Sequence, residues 1–462
     1  MKIFLKSIGM TLACASLAAT AQTKPNVVII LADDLGWGDV GFHGSDIATP
    51  NLDRLAAKGI QLDRFYTAPV SSPTRAGLMT GRYPSRFGIR KTVIPPWREY
   101  GLDETEETLA DMLGKEGYAN RAMIGKWHLG HARRAYYPLN RGFTYFYGHL
   151  NGAIDYFTHF RDGELDWHKN WESCYDEGYS TDLLSDEAVK FINQQRADSP
   201  YLLYLAYNAP HGPLMAKPED IAVYAANPKF AKDGNNLTKA ELRNCTYAAM
   251  VTCMDRGIGK VYEALEQSGQ LDNTIVLFFS DNGPAGEGSA LPHRGRKFQE
   301  WDGGVRAPAF ILWKNGLKEQ RIVDQVTGYI DVLPTLRDIL GVKSSPQKEL
   351  DGISVYPVLK GERDSIERDL YLGCGTIVNQ DYKLILPGQN PQMKMVKEDF
   401  FISYKDDPYE NENSKDANPQ EMARLKKLVL EYDAIPAAVD ESNYDEGREG
   451  FKPPHEWKVI KP

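Results

Sequence analysis

Several segments of the chain are apolar almost from end to end. Residues 26–32, 201–207 and 274–280 read NVVIILA, YLLYLAY and TIVLFFS, and a further strand pattern covers 119–125. Such runs are typical of strands that are buried on both faces of a sheet. Helical patterns separate them, so strands and helices alternate along the chain. The sequence therefore predicts an α/β fold in which helices sandwich a large, mostly parallel sheet.

The helical patterns, and a change in the length and spacing of the strand patterns near residue 365, suggest the domain organisation. Thr49 and Pro50 are typical of a helix start. The predicted helices cover 50–59, 104–116, 182–195 and about 238–268. After residue 365 the strand patterns become short and closely spaced, and Pro419 begins a last helix. We predict a main domain over 22–364 and a smaller C-terminal α+β subdomain over 365–462, with a short antiparallel sheet, a helix and a tail that wraps the surface.

Residues 1–21 have the pattern of an export signal. Lys2 and Lys6 precede an apolar stretch, and the small residues up to Ala21 fit a cleavage site. A membrane anchor is the alternative, but the stretch is short and interrupted by Ser and Thr. Cys14 leaves a lipoprotein as a weaker alternative. We expect export to a bacterial periplasm or secretion, with no stable membrane insertion, because no later segment is apolar enough to cross a bilayer.

The charge balance limits the partners of the chain. Its 462 residues include 54 Lys and Arg against 63 Asp and Glu, a formal net charge of −9 at pH 7. An acidic chain is a poor candidate for general nucleic-acid binding, which depends on neutralising phosphates. An anionic substrate would have to be captured by a local basic pocket and not by the overall field.

Export would permit disulfides, and four cysteines follow the signal. Cys245 and Cys253 lie in a predicted helix, where eight residues rise about 12 Å, too far for a disulfide between them. Whether Cys174 and Cys374 pair is left open by the sequence. Free or buried thiols are the favoured interpretation.

Acidic and amide side chains follow two of the predicted strands. Asp33 and Asp34 come directly after the first strand, and Asp281 and Asn282 follow the strand at 274–280. In open parallel sheets, ligands bind at the carboxyl ends of the strands. Four oxygen donors at one edge suit Ca²⁺ or Mg²⁺ better than zinc. Taken alone, an Asp-Asp pair is more often a turn or a helix cap.

Basic side chains follow two further strands at the same predicted edge. Lys126 and His128 come after the strand at 119–125, and His211 follows the strand at 201–207. Lys126 and His128 are two residues apart, so in extended backbone both point the same way. A lysine and a histidine that converge near a metal would form a site for an oxyanion.

The segment 71–82, SSPTRAGLMTGR, carries the most specific signal. Pro73 is expected to begin a helix, with Ser71 at its N-terminus, where backbone N–H groups favour an anion. Ser71 and Arg75 are four residues apart and can meet on one helical face. The alternative is a helix-capping serine beside a surface arginine.

This segment resembles the activation motif of the formylglycine-dependent sulfatases, a family in the alkaline-phosphatase superfamily, and every motif position matches. Several stretches are especially similar to arylsulfatase B, an N-acetylgalactosamine-4-sulfatase. The resemblance also rests on the stretches 32–36 (ADDLG), 125–130 (GKWHLG), 210–214 (PHGPL), 280–283 (SDNG), 294–297 (RGRK) and 302–306 (DGGVR). Asp302 departs from the glutamate of most relatives, a conservative change that we interpret as structural.

The resemblance implies a mechanism that depends on a modified residue. Ser71 would be oxidised to Cα-formylglycine by a serine-type maturation enzyme, a transient partner. One hydroxyl of the hydrated aldehyde would attack sulfur and displace the sugar alcohol. The second would lose its proton so that sulfate leaves and the aldehyde re-forms. An unmodified serine would remain trapped as a sulfate ester, so the family splits one difficult step into two.

The same resemblance assigns roles to the matching residues. One Ca²⁺, with Mg²⁺ as the alternative, would be held by Asp33, Asp34, Asp281 and Asn282, with modified Ser71 or sulfate completing the shell. Arg75 would steady the hydrated aldehyde, and Lys126 and Lys297 would bind sulfate. His128 would be the base for sulfate release, and His211 would bind sulfate and, with Lys297, protonate the leaving oxygen. Without the resemblance, we would interpret Lys297 as a solvated lysine in the basic run 293–297 (HRGRK).

Two other functions remain as alternatives, and the substrate is the least constrained part of the prediction. A phosphatase or phosphodiesterase of the superfamily would carry a histidine where this chain has Asn282. A non-catalytic glycan-binding relative would have lost residues such as Ser71 or Arg75.

The resemblance implies an exo-acting sulfatase on galactose or N-acetylgalactosamine sulfates of glycosaminoglycans or mucin-type glycans. The aromatic stretch 145–160 fits either a sugar pocket or a packed loop.

Overall fold

The fold is taken from a computed structural model of the chain. It describes residues 24–461 except 91, 197, 318–319, 391–394, 438, 440–442 and 459–460. The predicted targeting segment 1–21, with Cys14, lies outside the described residues. Within the described range, no helix combines the length and the apolar character that crossing a bilayer requires.

The described residues form 18 strands and ten α-helices. The strands are β1 Asn26–Ala32, β2 Ile60–Leu62, β3 Phe65–Tyr66, β4 Asn120–Lys126, β5 Tyr145–His149, β6 Phe160–Arg161, β7 Glu164–Leu165, β8 His168–Lys169, β9 Glu172–Ser173, β10 Tyr201–Ala206, β11 Thr274–Ser280, β12 Ala309–Leu312, β13 Arg321–Val323, β14 Thr327–Gly328, β15 Leu370–Gly373, β16 Thr376–Val378, β17 Tyr382–Ile385 and β18 Phe400–Ser403. The helices are α1 Pro50–Lys58, α2 Ser71–Thr80, α3 Leu109–Lys115, α4 Ser180–Asn193, α5 Pro218–Ala225, α6 Lys239–Gln267, α7 Asp302–Val305, α8 Val332–Ile339, α9 Tyr356–Leu359 and α10 Pro419–Asp433.

A ten-stranded sheet forms the centre of the fold, in the order β13-β2-β12-β11-β1-β10-β4-β5-β8-β9. The five strands from β11 to β5 run parallel. Antiparallel pairs join β12 and β8 to the two sides of this parallel group. A second sheet, β15 to β18, is an antiparallel meander that contacts α10. The predicted fold class, with a small antiparallel C-terminal sheet, is confirmed.

Alternate residues of β1 enter two separate hydrophobic cores. Val27, Ile29 and Leu31 pack on the side of α2, α3 and α8, and that core continues into the C-terminal sheet. Val28 and Ile30 pack on the opposite side, with α4 and α6. A strand with buried residues on both faces needs the continuous apolar run that the sequence shows. The central strands are therefore fixed from both sides, and their carboxyl ends are held in register.

The helix predicted over 104–116 begins later than expected, at Leu109. Thr108 lies at the N-cap, where its hydroxyl accepts a hydrogen bond from the N–H of Asp111 at 3.1 Å. The Asp111 carboxylate in turn accepts from the N–H of Thr108 at 2.9 Å. This reciprocal capping box starts the helix at Leu109 in place of Glu104.

Asp302 joins the main sheet region to the C-terminal sheet. Its carboxylate accepts hydrogen bonds from Lys383 and Tyr404, both at 2.9 Å, and its N–H donates to Glu410 at 2.6 Å. Lys383 and Asp302 are fully buried, and each compensates the charge of the other, because an unpaired charge would be costly there. These contacts agree with a structural role for Asp302. The domain boundary at residues 364 and 365 stays a prediction.

The four cysteines in the described range form no disulfide, and three of them, Cys245, Cys253 and Cys374, are buried. The question left open for Cys174 and Cys374 is thereby answered: no disulfide joins them in this structure.

Candidate active site

The carboxyl ends of four neighbouring strands bring the predicted polar residues together. β1 leads directly into Asp33 and Asp34, and its neighbour β11 leads into Asp281 and Asn282. On the other side of β1, β10 leads toward His211, and β4 ends on Lys126. Parallel strands end at the same edge of a sheet, so this topology turns residues far apart in sequence into one cluster.

Ser71 is the first residue of α2 and faces this cluster. The helix begins two residues before the predicted start at Pro73. The Ser71 hydroxyl donates a hydrogen bond to Asp281 Oδ2 at 2.5 Å and accepts one from Arg75 Nε at 2.9 Å. Both side chains lie on one face of the helix, as their spacing predicted. The Ser71 oxygen is therefore fixed between a carboxylate and a guanidinium.

Arg75 is completely buried, so the alternative of a surface arginine is wrong. Its Nη2 donates to Asp281 at 2.8 Å and lies 3.4 Å from Asp33, and its Nη1 donates to the carbonyl of Lys126 at 3.0 Å. A planar guanidinium can hold several acceptors in fixed directions. Arg75 thus connects the serine, two carboxylates and the end of β4.

Each of two lysines contacts one carboxylate of the Asp33-Asp34 pair. Lys126 Nζ donates to Asp33 Oδ2, and Lys297 Nζ lies 2.6 Å from Asp34 Oδ1. Burial raises the pKa of Asp33 to about 7, and the nearby Asp281 charge adds to this effect. Burial alone would also raise the pKa of Asp34, but Lys297 and His211 hold it well below its usual range. Arg75 and the two lysines balance the three carboxylates of the cluster.

Two buried oxygens in this cluster have no hydrogen-bond partner in the structure, Asp33 Oδ1 and Asn282 Oδ1. The amide nitrogen of Asn282 donates to Asp34 Oδ1 at 2.7 Å. Buried acceptors without partners are costly, and a bound cation would satisfy them. A carboxylate-and-amide oxygen set fits a hard divalent cation such as Ca²⁺ or Mg²⁺. Asp33 and Asp34 also come within 4.8 Å of a His211 ring nitrogen.

His128 and His211 lie on the same rim, and both rings are poorly able to carry charge. Burial, together with the Lys126 and Arg75 charges, lowers the pKa of His128 well below its usual value. Burial and Lys297 lower the pKa of His211 to about 3. His211 Nδ1 donates to the Gly212 carbonyl at 2.5 Å, and its Nε2 lies 3.7 Å from Asp34 Oδ2. An anion bound beside these rings would offset the neighbouring positive charges.

The position of His128 depends on a glycine in the loop after β5. The His128 N–H donates to the Leu150 carbonyl at 3.0 Å. A Cβ atom on Gly152 would lie 2.5 Å from the His128 ring, closer than real Cβ atoms approach. Only glycine therefore allows the ring its present place.

A cavity of about 450 Å³ opens above these groups, within the usual range of about 300–1,000 Å³ for ligand sites. It is lined by Ser71, Thr92, Val93, Pro95, Pro96, Lys126, His128, Gly152, Ala153, Arg161, His211, Lys297, Phe298 and Tyr444. The sequence did not single out Thr92, Arg161, Phe298 or Tyr444, which come from four separate segments and follow no common pattern.

Much of the aromatic stretch 145–160 is packed in the fold, whereas Phe157 and Phe160 are exposed and line a separate cavity, so a sugar pocket in this stretch stays a prediction. Phe146, Tyr147 and Tyr156 are buried in the hydrophobic cores. Gly152 and Ala153 are the residues of this stretch that line the cavity. Phe146 and Tyr147 belong to β5, a strand of the central sheet, and β5 leads into the loop that contains Gly152 and Ala153.

The chain is similar to known proteins over most of its length. A family model described as "Sulfatase" matches residues 25–342. Arylsulfatase J of Mus musculus is 34% identical over 358 residues, which cover 74% of this chain and 57% of that protein. N-acetylgalactosamine-6-sulfatase of Mus musculus is 33% identical over 375 residues, which cover 75% of this chain and 68% of that protein. This chain thus spans little more than half the length of arylsulfatase J.

A solved structure shows the same similarity in three dimensions. The crystal structure of Ps i-CgsB in complex with k-i-k-neocarrahexaose superposes with a TM-score of 0.79 at 30% sequence identity. The match covers 92% of this chain and 96% of that chain. The similarity therefore extends beyond the region of the family model into the C-terminal part.

Proposed function

The chain belongs to the sulfatase family, and from that premise we propose that it hydrolyses O-sulfate esters of carbohydrates. The observation that carries the proposal is the Ser71 hydroxyl, fixed by Asp281 at 2.5 Å and Arg75 at 2.9 Å at the base of a cavity lined by Lys126 and Lys297. A held oxygen nucleophile beside two ammonium groups suits attack on an anionic ester. The relatives named above include sulfatases of N-acetylgalactosamine.

We propose that Ser71 is oxidised to Cα-formylglycine by a serine-type maturation enzyme. The hydrated aldehyde supplies two hydroxyls on one carbon, one to attack sulfur and one whose deprotonation releases sulfate. Asp281 and Arg75 orient the oxygen on residue 71. Lys126 and Lys297 stabilise the negative charge on the sulfate oxygens. We assign His128 as the base that accepts the proton that must leave before sulfate departs, and His211 and Lys297 as the acids that protonate the sugar oxygen.

We further propose that Asp33, Asp34, Asp281 and Asn282 hold one divalent cation, Ca²⁺ or Mg²⁺. When bound, the cation polarises the oxygens of residue 71 and sulfate. One observation supports this proposal: the buried oxygens of Asp33 and Asn282 lack hydrogen-bond partners. An added divalent ion would leave the site positively charged, which favours an anionic substrate. A cation would also keep Asp33 ionised, although burial raises its pKa to about 7.

Removal of the cation should lower the stability of the protein. At a free Ca²⁺ concentration of about 100 times Kd, binding adds about 2.7 kcal/mol to the free energy of unfolding, so chelation should lower the thermal midpoint measurably. Asn282→Ala should abolish most of this calcium-dependent shift, and Asp186→Asn, which changes an exposed acid, should preserve it. Elemental analysis should give one Ca²⁺ or Mg²⁺ per chain; stoichiometric zinc would favour the phosphatase alternative.

The proposed substrate class is supported by the cavity and by the relatives. We propose galactose or N-acetylgalactosamine sulfates of glycosaminoglycans or mucin-type glycans, attacked at a chain end. The solved relative in complex with k-i-k-neocarrahexaose supports a carbohydrate ligand. We also propose that the protein is exported, on the pattern of residues 1–21.

A panel of regiodefined sulfated monosaccharides tests the proposed function. Protein co-expressed with a serine-type maturation enzyme should release sulfate from at least one galactose or N-acetylgalactosamine sulfate, and mass spectrometry of the 71–82 peptide should show the aldehyde. Protein expressed without that enzyme should be unmodified and inactive. Phosphate-ester hydrolysis without sulfate release would contradict the proposal.

A further inference from the structure

Among the described residues that line the active-site cavity, one cation has no part in the proposed sulfate chemistry, Arg161. We propose that Arg161 forms a second anion-binding subsite, for a sulfate ester or carboxylate on the sugar next to the one that loses its sulfate. This inference rests on the proposed function and names its substrate class more closely: an oligosaccharide with acidic groups on adjacent sugars.

The charge of Arg161 has a weaker partner in the protein than the charges of the two lysines have. Lys126 and Lys297 contact Asp33 and Asp34, which are buried beneath the cavity. In the described part of the chain, the one acid paired with the Arg161 guanidinium is its neighbour Asp162, at 3.2 Å. The two side chains are 25% and 42% exposed, and such a surface pair contributes little. A ligand anion could therefore replace this weak pair.

The composition of the cavity wall also favours an anionic ligand larger than one sulfate group. Among the described residues that line it, none is Asp or Glu. Phe298 and Tyr444 present partly exposed aromatic rings to the cavity, and such rings contact the apolar faces of sugars. The 450 Å³ volume leaves room beyond the sulfate held by the two lysines.

Contacts between the C-terminal tail and the main domain hold the backbone of Arg161 and Tyr444 in place. Trp457, which is 1% exposed, donates from Nε1 to the Arg161 carbonyl at 3.0 Å. The neighbouring N–H of Glu456 donates to Glu164 on the same β6–β7 hairpin at 2.9 Å. Trp97 Nε1 donates to the Tyr444 carbonyl at 2.8 Å. A wall fixed before the ligand arrives loses less entropy on binding, which favours specific recognition.

The test compares Arg161→Ala with wild type on four ligands built on one sulfated N-acetylgalactosamine. These are the monosaccharide, a disaccharide with a neutral neighbour, one with a uronic acid neighbour, and one whose neighbour carries a second sulfate. Binding is measured in the Ser71→Ala background, so the result does not depend on turnover, and kcat/KM is measured with Ser71 present. Arg196→Ala, an exposed arginine paired with Asp198, removes the same charge away from the cavity.

We expect Arg161→Ala to weaken binding, and to lower kcat/KM, about 10-fold to 100-fold for one or both acidic disaccharides, the usual size of a charge-assisted hydrogen bond. The monosaccharide and the neutral disaccharide should change less than about twofold, and Arg196→Ala should change none of the four. The acidic disaccharide that loses more affinity in Arg161→Ala shows whether the subsite binds a carboxylate or a sulfate ester. Equal effects on neutral and acidic ligands, or no effect, would overturn the subsite. Absence of sulfate release by wild type, with selective binding intact, would overturn the proposed function alone.

Discussion

Ser71→Ala is expected to abolish sulfate release while the protein stays folded. The substitution removes the oxygen that Asp281 and Arg75 orient and the carbon-oxygen function that maturation would oxidise. Loss of a covalent nucleophile lowers kcat by about 10⁴-fold or more in well-studied hydrolases. Asp281 and Arg75 still pair at 2.8 Å without the serine, so the free energy of unfolding should fall by about 1–2 kcal/mol. Steady-state kinetics and thermal unfolding measure the two effects.

Thr80→Ala is the matched control for this experiment. Thr80 lies near the end of the same helix, is equally buried, and donates its hydroxyl to the Ala76 carbonyl at 2.9 Å, away from the cavity. It should lose a similar amount of stability and keep its activity. A fully active wild-type sample whose Ser71 is unmodified by mass spectrometry would refute the aldehyde mechanism, whatever the alanine variant does.

The central sheet could be predicted from sequence because burial on both faces leaves a local trace. β1 and β11 are apolar at every position except at their ends, so a continuous apolar run identifies each strand, and the polar residues that follow each strand can be read directly from the sequence. The carboxyl ends of neighbouring parallel strands meet at one edge. The juxtaposition of Asp33, Asp34, Asp281 and Asn282 could therefore be predicted from the strand pattern and the residues that follow each strand.

Other features depend on contacts that no local pattern records. Lys297 lies in a run that resembles a solvated surface segment, and its place on Asp34 arises from the path of the loop after β11. Arg161 and Tyr444 reach the cavity from a two-stranded hairpin and from the tail. The role of the aromatic stretch 145–160 could not be assigned from sequence, because a strand of the buried sheet and a sugar pocket share the same composition. Specificity is thus the part of the site that sequence patterns describe least.

The second large effect concerns His211 and the leaving group. Sugar alcohols leave poorly because their pKa lies far above neutrality, so their departure needs a proton donor, whereas nitrophenyl sulfates leave with little help. Removal of a general acid usually costs about 10²–10⁴-fold in rate. We expect His211→Ala to lower kcat/KM by that factor for a sugar sulfate and far less for a nitrophenyl sulfate. Lys126→Ala should lower both alike, because it removes stabilisation of charge on the sulfate itself.

The structure supplies both the reason for choosing His211 and its competitor. His211 Nε2 lies 3.7 Å from Asp34, and Lys297 lies 2.6 Å from the same carboxylate, so both groups stand together at the rim of the cavity. Burial and Lys297 lower the pKa of free His211 to about 3, and an anionic sulfate ester bound beside the ring would favour its protonated form. Lys297→Ala, measured on the same two substrates, separates the candidates. If His211→Ala lowers both substrates equally while Lys297→Ala affects the sugar sulfate selectively, His211 only binds sulfate and the ammonium of Lys297 is the acid.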